Sequence, residues 1–110
     1  MANRHRGEIS ARLDGREWTL CLTLGALADL ENLFEAEDVG QLAERFSSGR
    51  LSASDMLRVI TAGLRGGGHT LELEEVAEMQ AEGGALGYAR IVSELLAVTF
   101  SAPVESDKAA

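Results

Sequence analysis

Two short stretches near the start of the chain alternate apolar and polar residues with a period of two, and Asp14-Gly15 lies between them. Asp-Gly in that setting predicts a two-residue hairpin turn, because a type I′ turn needs positive φ at both central positions. Pairing Leu13 with Arg16 sets Ile9 opposite Leu20, Ala11 opposite Trp18 and Arg12 opposite Glu17. One face of the hairpin, over residues 8–22, then collects Ile9, Ala11, Leu13, Trp18, Leu20 and Leu22. The other face carries Ser10, Arg12, Glu17, Thr19 and Cys21. A slip of one residue would scatter both sets, so turn and pattern specify the same register.

After Leu22 the apolar period changes to about 3.6 residues. Thr23 is positioned to cap a helix over 24–36 that uses Leu24, Leu27, Leu30, Leu33 and Phe34. Val39, Leu42, Ala43 and Phe46 place a second helix at 39–47. Ser52 and Asp55 have capping-box spacing before a third, at 53–64, with Met56, Val59, Ile60 and Leu64 inward. Gly66-Gly67-Gly68 reads as a plain linker. A fourth helix is expected over 72–82, with Leu73, Val76, Ala77 and Met79 on its apolar side, and a fifth over 86–100. A two-stranded hairpin is marginal in water and must lie on the helices. The expected architecture is α+β: an N-terminal β-hairpin packed on a small bundle of about five helices. Residues 1–6 are expected to be a flexible start and residues 101–110 a disordered tail, with 7–100 as a single domain.

The last helix is apolar over more of its circumference than one core stripe needs. Ile91, Val92 and Leu95 fit a single face. Tyr88, Leu96 and Phe100 extend around its side, which makes them candidate partner contacts. Glu74 and Glu78 of the neighbouring acidic segment are candidates for the rim of the same surface. The alternative is that the hairpin and the other helices enclose the whole set.

The chain has 110 residues and a net charge of −8, and residues 72–94 carry six glutamates against one arginine. That balance disfavours phosphate backbones, so no nucleic-acid partner is expected, and Arg4, Arg6, Arg12 and Arg16 lack the aromatic interleaving of a strand-binding surface. No apolar run approaches the ~20 residues of a membrane span, and no secretory leader is evident, so a cytoplasmic location is expected. Cys21 is the only cysteine, and His5 and His69 are the only histidines. None has carboxylates at metal-ligand spacing around it, and no base and acid stand ready to activate Cys21. The triple glycine lacks the lysine of a phosphate-binding loop, and His69 follows the glycines where an esterase loop would place it before them. No catalytic residue, cofactor or metal is expected.

The stretch from Arg6-Gly7-Glu8-Ile9 through Asp14-Gly15-Arg16 to Leu20-Cys21-Leu22-Thr23-Leu24-Gly25-Ala26-Leu27-Ala28-Asp29-Leu30-Glu31 resembles the small tail proteins of gene transfer agents. So do Gly49 through Ile60 and Gly63-Leu64-Arg65-Gly66. Those proteins are similar to the tail assembly chaperones of long-tailed phages. The resemblance covers about residues 4–100. It implies a non-enzymatic role in tail morphogenesis of a phage-like particle, as a chaperone or adaptor for the helical tape-measure protein. A structural part of the tail or tail tube is the alternative, as is an unrelated small adaptor. The implied partners are the tape-measure or tail tube protein, or a second copy of the chain.

Overall fold

The structure, a computed structural model, describes residues 2–48 and 50–100. Strands β1 (Glu8–Leu13) and β2 (Arg16–Cys21) form an antiparallel hairpin. Helices α1 (Leu24–Phe34), α2 (Val39–Ser47), α3 (Ala53–Gly66), α4 (Leu73–Ala77) and α5 (Gly84–Phe100) follow. The fold is α+β, as the pattern predicts. Before the hairpin, Arg4–Arg6 make one 3₁₀ turn, and the Arg4 guanidinium meets Glu94 of α5 at 3.2 Å. The tail expected over 101–110 lies outside the described residues.

The hairpin has the register that Asp-Gly dictates. Ile9 pairs with Leu20, Ala11 with Trp18 and Leu13 with Arg16, and the turn residues have φ of 55° and 73°. Ile9, Ala11, Leu13, Leu20 and Leu22 are buried. Trp18 is half-buried at the margin of this face. Its indole N–H donates to the Leu13 carbonyl at 3.1 Å, Arg16 lies over its ring, and His69 packs edge-on at 4.9 Å.

The expected caps form. The Thr23 hydroxyl accepts the Ala26 N–H at 3.1 Å. Ser52 and Asp55 exchange side-chain and backbone hydrogen bonds in a capping box, and the buried Asp55 carboxylate also meets Arg45 of α2 at 3.4 Å. α1 ends at Phe34, two residues early, because Glu35 takes a left-handed conformation (φ 56°) while the Ala36 N–H reaches back to Glu31. The core stripe of α1 is Ala26, Leu27, Leu30 and Phe34, so Leu24 and Leu33, expected inward, are exposed.

Two larger departures share one cause, which is that the helices meet the hairpin edge through backbone. α3 runs on to Gly66, and Gly66-Gly67 is a packing seam rather than a plain linker. In the observed register the Thr19 and Cys21 carbonyls point away from β1. A Cβ on Gly66 would sit 1.9 Å from the Cys21 oxygen, and one on Gly67 2.0 Å from the Thr19 oxygen. Only glycine permits that approach. The fourth helix, expected over 72–82, stops at Ala77. Beyond it the chain is held extended by the hairpin tip: the Asp14 N–H donates to the Gln80 carbonyl at 2.8 Å, the Gln80 N–H to the Asp14 carboxylate at 2.9 Å, and Leu13 bridges Ala81. Met79 is drawn into the core by the same clasp, whereas Leu73 is partly exposed.

The core is continuous across the layers, with Leu13 and Leu20 of the hairpin, Leu30, Leu42, Val59 and Leu64 of the first three helices, and Val92 and Leu95 of α5 all fully buried.

Candidate functional site

The broad apolar set of α5 is only partly enclosed. Ile91, Val92 and Leu95 are buried, while Tyr88, Leu96, Val98 and Phe100 are half-buried. Leu86, at the start of the helix, is 76% exposed and belongs to no buried layer.

Leu96 and Phe100 open onto a cleft between α2, the start of α3 and the second half of α5, about 480 Å³ in volume. Its floor is Phe46, Leu51, Met56 and Val92, and its walls carry small residues, among them Ala43, Ser47, Ala89 and Ser93. Large side chains on the floor with small ones along the rims leave room for a side-chain ridge to enter. The aromatic groups are set by one another. Phe46 meets Phe34 edge-on at 5.3 Å and lies 6.5 Å from Phe100, while Arg45 covers the outer face of Phe34. The Arg45–Asp55 contact, at 3.4 Å, ties α2 to the α3 capping box.

Tyr88 is elsewhere. Its hydroxyl donates to the Met79 carbonyl, and its ring lines a smaller cleft of about 210 Å³ with Leu13, Leu57, Ile60 and Val76. Met56 lies between the two clefts and lines both. Glu74 and Glu78 are exposed; Glu74 is in α4 and Glu78 just past its end. The five candidate contacts therefore do not form one surface. Leu96 and Phe100 share a cleft, Tyr88 secures the segment after α4, and the two glutamates lie on and beside α4. Glu74 and Glu78 do not share a helix face, because α4 ends before Glu78.

Leu51 is a cleft residue that the helical pattern gave no reason to select, since it stands between elements. The floor residue Met56 appeared only as an inward position of α3.

Cys21 is half-buried, and its thiol approaches the Arg6 carbonyl at 3.6 Å. Burial pushes the thiol pKa above its usual value, Glu8 pushes it the same way, and Arg6 acts in the opposite sense. A nucleophilic cysteine needs the reverse shift. Among the described residues no three His, Cys, Asp or Glu side chains are grouped to hold a metal ion, and no helix is long and apolar enough to cross a membrane. The His69 Nε2 is buried without a hydrogen-bond partner among the described residues, with its ring against Trp18.

No curated protein and no solved structure shows significant similarity to the chain. One family model does match, over residues 6–102, and it describes a phage tail tube protein, GTA-gp10. That span takes in the hairpin, all five helices and both clefts. The chain belongs to this family of gene transfer agent tail proteins.

Proposed function

We propose that this protein acts during assembly of a phage-like tail as a non-enzymatic chaperone or adaptor, and that it holds a helical segment of the tape-measure protein in the cytoplasm of the producing cell. Membership of a tail family supports a role in the tail. The observation that carries the finer reading is the cleft between α2 and α5, with its apolar floor of Phe46, Leu51, Met56 and Val92 between two helices. An amphipathic helix about 10 Å across binds in such a groove by inserting apolar side chains at i, i+3, i+4 and i+7. A long helical protein that is not yet assembled exposes such stripes and needs them covered. The net charge of −8 keeps the covering protein soluble and favours partners that carry positive charge.

The second reading, a structural subunit of the tail tube, is favoured by the description of the matching family. Against it stands the state of the sheet. Growth of a sheet between subunits needs an open edge; Gly66 and Gly67 cover the outer edge of β2 and Ala81 bridges Leu13 at the tip of β1, which restricts pairing to the rest of β1. The two readings make opposite predictions for purified particles. A chaperone is absent from the finished particle, although its loss abolishes tails; a tube subunit is present in many copies. Quantitative mass spectrometry of purified particles separates them, and recovery of the chain at tube stoichiometry overturns the chaperone reading.

A further inference from the structure

A second groove, on the opposite side of α3 from the clefts, lies between α1 and α3. Gly25, Asp29 and Leu33 form one wall at i, i+4 and i+8 of α1, and Arg58, Ala62 and Arg65 form the other. Three features set it apart. First, apolar groups are left in water here: Leu33 is 49% exposed and Leu73, at one end of the groove, 37%. Second, two of its charges have no ion-pair partner among the described residues. Arg65 is engaged with the Leu71 carbonyl and Glu72, but among the described residues neither Asp29 nor Arg58 is in an ion pair, although they line one groove. Third, Gly25 has no internal reason to be glycine. A Cβ there would meet only the Thr23 hydroxyl, at 3.9 Å, and its φ is not left-handed. Glycine weakens a helix, so a glycine on its outer face that no internal contact requires points to close approach from outside.

We propose that this groove pairs with the same groove of a second copy of the chain, α1 of each lying against α3 of the other about a two-fold axis. An isologous interface needs one patch that carries both members of each complementary pair. Here a carboxylate on one wall and an unpaired guanidinium on the other meet that condition, because a two-fold rotation sets Asp29 of each copy opposite Arg58 of its mate. Elsewhere the chain, at −8, repels its own copy. On the α3 wall Arg65 is paired with Glu72, and Arg58 is the cation outside any ion pair among the described residues, so this is the side on which an acidic chain can accept the Asp29 face of a second acidic chain.

The test is the oligomeric state by sedimentation velocity across a concentration series, with circular dichroism to verify folding, for the wild type, Asp29→Arg, Arg58→Asp and the double exchange. The expected result is a wild-type dimer, association weakened by about tenfold or more in affinity for each single variant, and a dimer restored in the double variant. Asp29→Arg lowers the net negative charge, so general repulsion alone would make it associate more tightly; the interface predicts the opposite. Leu33→Ser is expected to weaken the dimer without altering charge. A wild type that is monomeric throughout, a ring or other assembly larger than two, or a double variant no better than the singles overturns the proposal.

Discussion

Replacing Gly66 by alanine adds one methyl group and should destabilise the protein. The added Cβ would lie 1.9 Å from the Cys21 carbonyl oxygen and 3.0 Å from its carbonyl carbon. The obstructing atoms are backbone, so no rotamer change relieves them. A tolerable carbon–oxygen contact begins near 3 Å, so α3 and β2 must part by about 1 Å, along a seam that continues at Gly67 against Thr19. Overpacking of this kind costs about 1–3 kcal/mol, and a rigid backbone neighbour puts the cost toward the upper end. Alanine recovers up to about 1 kcal/mol of helix propensity, less at the end of a helix. The net expectation is a loss of about 2 kcal/mol, and a melting point lower by roughly 8–16 °C for a domain of this size. Urea and thermal unfolding followed by circular dichroism measure it, and Gly67→Ala should behave the same way. A Gly66→Ala protein as stable as the wild type would refute the reasoning, since propensity would then outweigh the seam.

Gly15→Val should cost about 1–2 kcal/mol in urea unfolding, because Gly15 has φ 73° and open space around it, which leaves backbone strain as the only penalty; an unchanged midpoint would contradict the type I′ turn. Glu35→Gly should stabilise by about 0.5 kcal/mol, since it relieves a left-handed residue at the end of α1 against the entropy of a new glycine; a lower melting point would count against it. The Cys21 thiol should alkylate more slowly than a small-molecule thiol at pH 8, with its rate profile displaced to higher pH, because a raised pKa leaves less thiolate at any given pH. Rates of iodoacetamide labelling across pH decide this, and a profile displaced downward would be contrary to it.

The parts of the fold legible in the sequence are those specified by neighbours in the chain. Asp14-Gly15 fixes a turn by φ alone, so the register from Glu8 to Cys21 follows from local chemistry. The Thr23 cap and the Ser52–Asp55 box are equally local, and both form. The departures arise where a distant element intervenes. Residues 78–82 are fair helix formers, yet the hairpin tip captures Gln80 and Ala81 and ends α4 at Ala77. Gly66-Gly67 has the composition of a linker, and only the approach of Thr19 and Cys21 shows what the missing side chains permit. Leu24 and Leu33 fit a leucine stripe as well as Leu27 and Leu30 do; packing chose the set one step around the helix.

The candidate site was legible to the same degree. An excess of apolar residues on the last helix is visible in the sequence, and Leu96 and Phe100 do line a cleft. Tyr88 belongs to the same excess but is committed to the Met79 carbonyl, a contact created by the clasp at the hairpin tip. Leu51 carries no periodic signal at all, because it reaches the cleft from a connection between helices.

The central claim is that the cleft between α2 and α5 holds a helix of the tape-measure protein, and Leu96→Glu tests it most directly. Leu96 is half-buried at the rim, so the new carboxylate can reach water while it places a charge where an apolar partner side chain must enter. Co-expression of each form with the tape-measure protein of the same phage-like particle, followed by affinity capture, reads the outcome. The account predicts that the wild type co-purifies with the tape-measure protein, and that Leu96→Glu keeps its helical circular dichroism but loses the partner. A folded Leu96→Glu protein that captures the tape-measure protein as well as the wild type does would contradict it.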